Sequence, residues 1–525
     1  MAIVKGATQE STCLVSRDPA TGAILGELEC AHTAAVSAAV SRARAAQPAW
    51  AALGVRRRIA ILRRFQAELH RRKSEIAAAI TREAGKPVAE ALVTEVLVVL
   101  DAARFLIDNA YRLLRDEPVP HGNFATKLKR GSLIREPHGV LGIISPWNYP
   151  FSIPATETLA ALVAGNSVVL KPSEFTPLIA LELALLMHGA GVPGDVFQVL
   201  IGEGPTGAAF VNSDIDKLVF TGSVPTGKRI AAAAAERLLP VVLELGGKDP
   251  MLVLDDADID VASSAAVWGA FVNAGQACLS VERCYVHRSL YEQFTSACAR
   301  KAKQLRVGNG MDPSTDVGPM IHERQLQTVE AHVDDAKFQG ARILAGGSRL
   351  PDLGPNFYAP TVLADVTHEM RIMREETFGP VLPVMPFDDD DEAVRLANNS
   401  EFGLAASIWT RNSSRGERLA ARIRAGTVMV NDVIACFGIS EAPHGGVEAS
   451  GLGRTHGRFG LDEMVRLKYL DVDLMPTMKK VWWYGYGERF RRHIESVLDL
   501  QFSRNLTRRL RGAVQAAGTF RRKQL

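Results

Sequence analysis

The feature that most limits the fold of this 525-residue chain is the texture that begins at Gly139, where short apolar runs alternate with Ala- and Leu-rich stretches of helical length. Val140 to Ser145, Ser167 to Lys171, Val196 to Ile201, Lys217 to Thr221 and Val241 to Leu245 read as strands. Between them, Thr156 to Ala164, Pro177 to Gly189, Gly204 to Asn212 and Thr226 to Leu238 read as helices. Strands that are apolar along their length, separated by helices, belong to a parallel sheet with crossover helices. Such sheets bind ligands beyond the carboxyl ends of their strands. Functional residues are therefore expected at Ser145 to Asn148, Lys171 to Glu174, Gly202 to Gly207 and Thr221 to Gly227.

A second alternating block runs from Pro250 to Val430, with strands expected at Met251 to Leu254, Cys284 to Val286, Ala341 to Ala345, Val381 to Phe387, Ala406 to Trp409 and Val428 to Asn431. Ahead of both blocks, residues 33 to 118 carry apolar positions at helical spacing (Ile59, Leu62, Phe65, Leu69, then Ile76 and Ile80). Gly85-Lys86-Pro87 punctuates that run, and a second helix is expected from Ala89 to Leu114. The plain reading is a solvated helical layer packed on a sheet. At 56.8 kDa the chain exceeds one hydrophobic core, and about 150 residues per domain implies two to four domains.

Composition excludes several classes. With 47% hydrophobic and 23% charged residues and a mean hydropathy of +0.03, the chain is neither disordered nor built for a bilayer. The longest stretch free of Lys and Arg, Gly139 to Leu170, holds Glu157 and is broken by Pro146, Pro150 and Pro154, so no spanning helix is expected. Met1 to Cys13 has no apolar run of signal-peptide length, and a cytoplasmic location is expected. The six cysteines (Cys13, Cys30, Cys278, Cys284, Cys298, Cys436) show neither CxxC nor Cys/His ligand spacing, so no disulfide framework and no metal site is expected.

Four short stretches carry chemistry. Phe220-Thr221-Gly222-Ser223-Val224-Pro225-Thr226-Gly227 ends a strand just before a helix, which suits presenting N–H groups to a phosphate, or simply capping the helix. Lys171-Pro172-Ser173-Glu174 follows another strand and fits ribose hydroxyls or a surface ion pair. Glu375-Glu376-Thr377-Phe378-Gly379-Pro380 is a polar loop whose paired acids are expected in solvent. Asn273-Ala274-Gly275-Gln276-Ala277-Cys278 places one thiol behind small residues, as a nucleophile or a buried thiol.

Together the runs PWNYP, KPSE, FTGSVPTG, LELGGKDP, NAGQACLSVERCYV, EETFGPV and GGVEASGLGR resemble the NAD(P)-dependent aldehyde dehydrogenase superfamily over about residues 15 to 475, with Glu244 lying 34 residues before Cys278. The resemblance implies an α/β fold with a Rossmann-type cofactor domain (1–118 and 138–246), an α/β catalytic domain (247–447) and a small oligomerisation sheet (119–137 and 448–475). It also implies a homodimer or homotetramer, and the alternating segment from Phe124 to Ile134 suits a strand pair reaching another subunit.

By the same resemblance Cys278 is the nucleophile, Asn148 with the Cys278 N–H steadies the alkoxide, and Glu244 is the base that hydrolyses the thioester. Glu244 follows the apolar Val241-Val242-Leu243, so its pKa is expected to be raised. Cys278 needs a depressed pKa or a nearby base. Relatives that pass the acyl group to coenzyme A lack this base, so the free acid is the expected product. The cofactor is assigned to Ser145, Trp147, Lys171, Ser173, Glu174, Gly204, Gly207, Gly222, Ser223, Leu245, Glu376 and Phe378. A carboxylate at position 174 accepts ribose hydroxyls and repels a 2′-phosphate, so NAD is expected ahead of NADP, with NADP use left open.

Tyr149, Phe151, Phe437 and Ile439 are the expected tunnel lining, and no Arg stands in the matched loops to pair with a second carboxylate. An apolar aliphatic or aromatic aldehyde is therefore expected, with a succinate-semialdehyde-type, acyl-CoA-forming or non-catalytic member as the alternatives. The usual Pro-Phe-Gly-Gly reads Pro443-His444-Gly445-Gly446 here, and Glu448 stands where Lys is common. His444 is a candidate substrate contact or a packing residue.

The last fifty residues lie beyond the resemblance. They hold twelve Lys/Arg against three Asp/Glu, a local +9 that leaves −6 on residues 1–475 of a chain with net charge +3. After Trp482-Trp483-Tyr484, apolar residues recur at Phe490, Ile494, Leu498, Phe502, Leu506, Leu510 and Val514. That stripe fits a helix lying at a membrane surface, packing on the acidic body, or capping a neighbouring subunit. Nucleic-acid binding is not expected.

Overall fold

All five strands expected between residues 140 and 245 form in the computed structural model, which describes residues 13–123, 126–480 and 482–518. They lie parallel in the order Val241–Glu244, Lys217–Thr221, Val140–Ile144, Ser167–Lys171, Phe197–Val199, and the short Gly451–Leu452 strand adds antiparallel to the first. The chain builds outward from Val140 to Phe197, then returns to lay Lys217–Thr221 on the other side of Val140–Ile144. The strand order thus reverses between Val140–Ile144 and Lys217–Thr221, which opens a crevice at their carboxyl ends.

The sheet is covered because both of its faces are apolar. Val140, Leu141, Val168, Val169, Leu218 and Val219 are fully buried, each stabilising the fold by roughly 1.5–3 kcal/mol. The Ser152–Ala164 helix packs so deeply that even Ser152 and Thr158 are fully buried.

The second sheet has seven strands in the order Arg342–Ala345, Thr361–Ala364, Val381–Phe387, Arg283–His287, Pro250–Val253, Ala405–Trp409, Thr427–Val430. Only the edge strand Arg342–Ala345 runs antiparallel to its neighbour. Thr361–Ala364 is an additional strand; four residues give no periodicity to read, and its strand character comes from pairing with Val381–Phe387.

The expected single helix from Ala89 to Leu114 is interrupted. It runs as Val88–Ala91, a wider π turn over Leu92–Val96, then Leu97–Leu113. Such turns are frequent at functional sites. Here the turn leaves Glu95 fully buried while Val93 and Leu97 stay exposed.

The described chain divides into two units: residues up to Arg115 with Arg135–Leu467, and Asp116–Ile134 with Lys468 onward. The second unit contains most of a three-stranded sheet ordered Val465–Asp473, Lys129–Pro137, Glu117–Val119. Of the alternating segment expected there, Phe124 and Ala125 lie outside the described residues, as do residues 1–12 of the expected cofactor domain.

The expected continuous stripe of the tail is two helices, Glu488–Phe502 and Leu506–Gly518. Asn505 Oδ1 accepts from the Thr507 N–H at 2.9 Å and starts the second helix afresh. The helices close on small residues, since a Cβ on Gly512 would lie 2.6 Å from the Ser496 carbonyl. Leu498, Phe502, Leu506, Leu510 and Val514 stay exposed. No helix among the described residues is long and apolar enough to cross a membrane.

Candidate active site

The Ile259–Phe271 helix ends in a tight 3-10 turn, Val272–Gly275, that delivers Cys278 to the crevice. Asn273 (φ 54°), Ala274 (φ 54°) and Gly275 (φ 71°) all adopt left-handed backbone. Each non-glycine there costs about 1–3 kcal/mol and needs its surroundings to hold it. The Asn273 N–H donates to Glu90 Oε2 at 2.9 Å, and its side-chain amide donates to the carbonyls of Asn148 (2.9 Å) and Gln276 (3.0 Å). Gln276 donates back to the Asn273 carbonyl at 2.9 Å and accepts from the Ile321 N–H at 2.9 Å. Gly275 admits no side chain, because a Cβ would lie 2.1 Å from the Gly379 oxygen.

Asn148 belongs to the same network. Its Nδ2 donates to the Gln276 carbonyl at 3.0 Å, and its own carbonyl accepts from Lys86 Nζ at 2.7 Å. Lys86 is buried, pairs with Glu95 at 2.7 Å and lies 4.0 Å over the Tyr149 ring. The other Glu95 oxygen accepts from the Phe151 (3.0 Å) and Ser152 (2.7 Å) N–H groups at the start of the Ser152–Ala164 helix. The helical layer read from the sequence as merely solvated thus sends Lys86, Glu90 and Glu95 into the core of the site.

Cys278 is half-buried and borders three cavities. One, of about 350 Å³, is walled by Val93, Leu97, Val98, Tyr149, Trp268 and Phe437 among others. A second, of about 240 Å³, is lined by Trp147, Asn148, Gly222, Ser223, Glu376 and Phe378 together with Glu244 and Leu245. The third, of about 20 Å³, brings Glu157, Glu244, His444 and His456 to the same sulfur.

Glu244 ends its strand with neither carboxylate oxygen hydrogen-bonded among the described residues. Burial, then the neighbouring Glu157, pushes its pKa well above the usual carboxylate range, against the pull of Arg454. His444 Nε2 stands 3.9 Å from Glu244 Oε2, and burial with His456 and Arg454 lowers the imidazole to about 3, so it is neutral. His444 therefore faces Glu244 and not the apolar cavity. Burial, then Asp249, Glu376 and Glu244, raises the Cys278 thiol well above its ordinary value. A thiol raised in this way needs a neighbouring base to take its proton, and Glu244, in its ionised form, is the group placed to do so.

The residues expected to hold a cofactor fall into two groups. Trp147, Gly222, Ser223, Leu245, Glu376 and Phe378 line the second cavity. Ser145, Lys171, Ser173, Glu174, Gly204 and Gly207 do not line it, and gather at the carboxyl ends of the neighbouring strands. Ser145 N–H donates to the Lys171 carbonyl at 3.1 Å, and Lys171 Nζ to the Pro172 carbonyl at 2.9 Å. Ser173 Oγ lies 3.3 Å from Glu174 Oε2, and a Cβ on Gly207 would lie 3.6 Å from the Lys171 methylenes. An aromatic row that sequence reading missed bridges the groups: His322 packs on Phe175 (4.3 Å) and on Trp147 (5.8 Å), and Trp147 meets Phe378 edge-on at 5.4 Å.

Three expectations need correcting. Glu376 is half-buried beside Gly247, whose N–H donates to Oε1 at 3.0 Å, and desolvation first, then Glu282, raises it to about 7; the paired acids are not both in solvent. Phe151 is wholly buried in the core under the Val140 sheet and does not line the apolar cavity. Ile439 is half-exposed and does not line it either.

The profile of the Aldehyde dehydrogenase family matches residues 5–470. The chain belongs to the aldehyde dehydrogenase family. It is 41% identical over 450 residues to the 4,4'-diapolycopene aldehyde oxidase of Methylomonas sp, covering 86% of this chain and 84% of that protein. It is 40% identical over 445 residues to a putative succinate-semialdehyde dehydrogenase [NADP(+)] of Mycolicibacterium smegmatis, covering 85% and 84%. Among solved structures, the NAD+ complex of an aldehyde dehydrogenase from Bacillus cereus superposes with a TM-score of 0.85 at 36% identity, covering 88% of this chain and 94% of that one. The α/β aldehyde dehydrogenase fold follows from these matches.

This aldehyde dehydrogenase has features that suit a dinucleotide. The Val224–Ala235 helix begins at Ser223 without a side-chain cap, so its first N–H groups are open to an anion. Gly246 leaves room for the Glu376 carboxylate, which a Cβ would approach to 2.5 Å. The indirect residues of the site had no local signature, since Lys86, Glu90 and Glu95 look like ordinary helix polarity. The Gly85-Lys86-Pro87 break, which holds Lys86 and precedes the two acids, is the one available signal.

Proposed function

We propose that this enzyme oxidises an apolar aldehyde to its carboxylic acid through a thiohemiacetal and then a thioester on Cys278. The observation that supports it is one thiol bordering an apolar cavity, a polar cleft and a small cavity holding Glu244. Cys278 sulfur bonds to the carbonyl carbon as its proton passes to Glu244. Asn148 steadies the alkoxide with its second amide N–H, together with the Cys278 N–H; one such donor contributes about 3 to 4 kcal/mol. Bound in the polar cleft, NAD or NADP supplies the hydride acceptor. Gly222, Ser223, Glu376 and Phe378 would hold its pyrophosphate and nicotinamide end, and Lys171, Ser173 and Glu174 its adenine ribose.

Glu244 first releases the thiol's proton to solvent; as a carboxylate again it takes a proton from water, the water oxygen bonds to the acyl carbon, and the carbon–sulfur bond breaks. The acid leaves, and the Cys278 thiolate takes up a proton from solvent to restore the thiol. This placement of Glu244 favours hydrolysis over acyl transfer to coenzyme A.

The substrate reading rests on the apolar cavity. No Lys or Arg lines it among the described residues, and its acid, Asp101, would repel a second carboxylate. An apolar aliphatic or aromatic aldehyde is favoured over a dicarboxylic semialdehyde, although some similar proteins carry the latter name. The test compares kcat/KM for hexanal, benzaldehyde and succinic semialdehyde, each with and without coenzyme A, in the native enzyme and in Cys278→Ser. Preference for the apolar aldehydes, independence of coenzyme A and loss of turnover in the variant are expected. Preference for the semialdehyde rejects the substrate reading, and turnover that survives Cys278→Ser rejects the mechanism.

In the same proposal, residues 1–118 with 138–246 bind the cofactor, 247–447 carry the thiol, and 119–137 with 448–475 join subunits into a dimer or tetramer.

A further inference from the structure

Glu157 has no task in the chemistry above, yet it faces the same small cavity as Cys278 and Glu244. It sits on the Ser152–Ala164 helix, buried, with Oε1 accepting from the Thr221 hydroxyl at 3.4 Å and Oε2 without a partner among the described residues. Away from Cys278, a second cavity of about 30 Å³ shares Thr156, Glu157, Thr455 and His456 with the first and adds Ser440. His456 Nε2 and Ser440 Oγ, like both Glu244 oxygens, have no partner among the described residues. Leaving one such atom buried and unsatisfied costs about 1–3 kcal/mol. A polar cavity needs only about 10–15 Å³ to hold a water, so each is large enough for one.

We propose that Glu157 is the proton partner of Glu244, with one water joining the two carboxyls and a second, beside His456 and Ser440, carrying the proton onward. The inference rests on Glu244 being the hydrolytic base. Water gives its proton to Glu244, which returns to the carboxylate by passing a proton through the first water to one Glu157 oxygen. Glu157 releases the proton held on its other oxygen to the second water. One proton moves in each hydrolysis step, and no electrons do.

The surroundings suit that exchange. Burial raises Glu157 to about 8, so near neutral pH it is a carboxylic acid able to give one proton and take another. The charged or titratable groups facing the pair are Glu244 and Cys278, His444 and His456, and Arg454 near Glu244. Burial lowers His456 to about 4, so both imidazoles are neutral. The Leu97–Leu113 helix presents only Ala102, Phe105 and Leu106 to the second cavity. Glu157 lines neither the apolar cavity nor the polar cleft, and is therefore a positioning residue for the proton.

The experiment separates the hydride step from hydrolysis in native enzyme, Glu157→Gln, Glu157→Asp and Glu244→Gln. The NADH burst reports the first step, and thioester breakdown followed from pH 6 to 10 in H₂O and D₂O reports the second. Glu157→Gln should keep its burst within about twofold, slow breakdown about tenfold, and change the pH profile and solvent isotope effect, with Glu157→Asp partly restoring them. A Glu157→Gln enzyme with the native pH profile and isotope effect overturns the proposal, and so does equal loss of burst and breakdown. Glu244→Gln should keep the burst and lose breakdown; if it hydrolyses normally, the base assignment itself fails, whatever Glu157→Gln does.

Discussion

Lys86 Nζ donates to the backbone carbonyl of Asn148 at 2.7 Å while pairing with Glu95 at the same distance, so an ammonium from the helical layer fixes the loop that carries the expected alkoxide donor. Burial lowers the Lys86 pKa against the pull of Glu95. Removing one partner of a buried pair costs about 3–5 kcal/mol because the other charge is left unpaired. Lys86→Met should therefore lose about that much in denaturant unfolding and also lose kcat. The double variant Lys86→Met/Glu95→Gln should regain most of the stability but not the rate. Recovery of both would mean that Lys86 serves packing alone.

Cofactor choice turns on Glu174. If it faces the adenine ribose, a 2′-phosphate meets a like charge worth about 1 kcal/mol at 4 Å even in water. The expected result is a kcat/KM several-fold higher with NAD than with NADP, and a narrower gap in Glu174→Ser. A higher kcat/KM with NADP in the native enzyme removes this role for Glu174.

Stability should fall between pH 6.5 and 8.5. Glu83, Glu90 and Glu376 are raised to about 7 and Glu157 to about 8, each first by burial. An acid raised in the folded state stabilises it while protonated, fully below its unfolded pKa near 4.5, and loses that contribution as pH climbs through the folded value. His138 and His456, lowered to about 4, and His444, to about 3, act in the opposite sense: their contribution grows with pH and is complete above about 6.5. Above that pH each of the four carboxyls lowers stability by about 1 kcal/mol per pH unit while it is still protonated in the fold. Thermal unfolding across this range checks it, and Glu157→Gln should flatten the curve between pH 7 and 8. A Tm that rises over the same interval contradicts it.

The second unit should associate. The Val465–Asp473 strand, which enters it at Lys468, leaves Leu467, Tyr469 and Leu470 exposed, and the tail helices expose five large apolar side chains outside a closure made by Ser496 and Gly512. Light scattering should report a dimer or tetramer, and Leu467→Glu/Leu470→Glu should yield a monomer. Sedimentation of the full chain with anionic and zwitterionic vesicles, against a chain ending at Pro476, tests the basic tail. Pelleting of the full chain only, and only with anionic vesicles, is the result expected of a lipid-facing tail; equal pelleting of both chains excludes one.

Local pattern determined much of this protein. Ser167–Lys171, Lys217–Thr221, Val381–Phe387 and the Pro177–Gly189 helix have the bounds their periodicity implies, because strand and helix spacing is written residue by residue. The order of short motifs was enough to indicate the family. Tertiary structure decided what depends on distant partners. Lys86 and Glu95 look like solvated helix residues until the π turn and the Asn148 loop enclose them, and Glu376 looks exposed until Gly247 packs against it. Likewise Glu157, 121 positions before Cys278, acquires a shared cavity with it only when the Ser152–Ala164 helix crosses beneath the ends of two strands. Burial sets the protonation of these groups, and burial is a property of the packed chain as a whole.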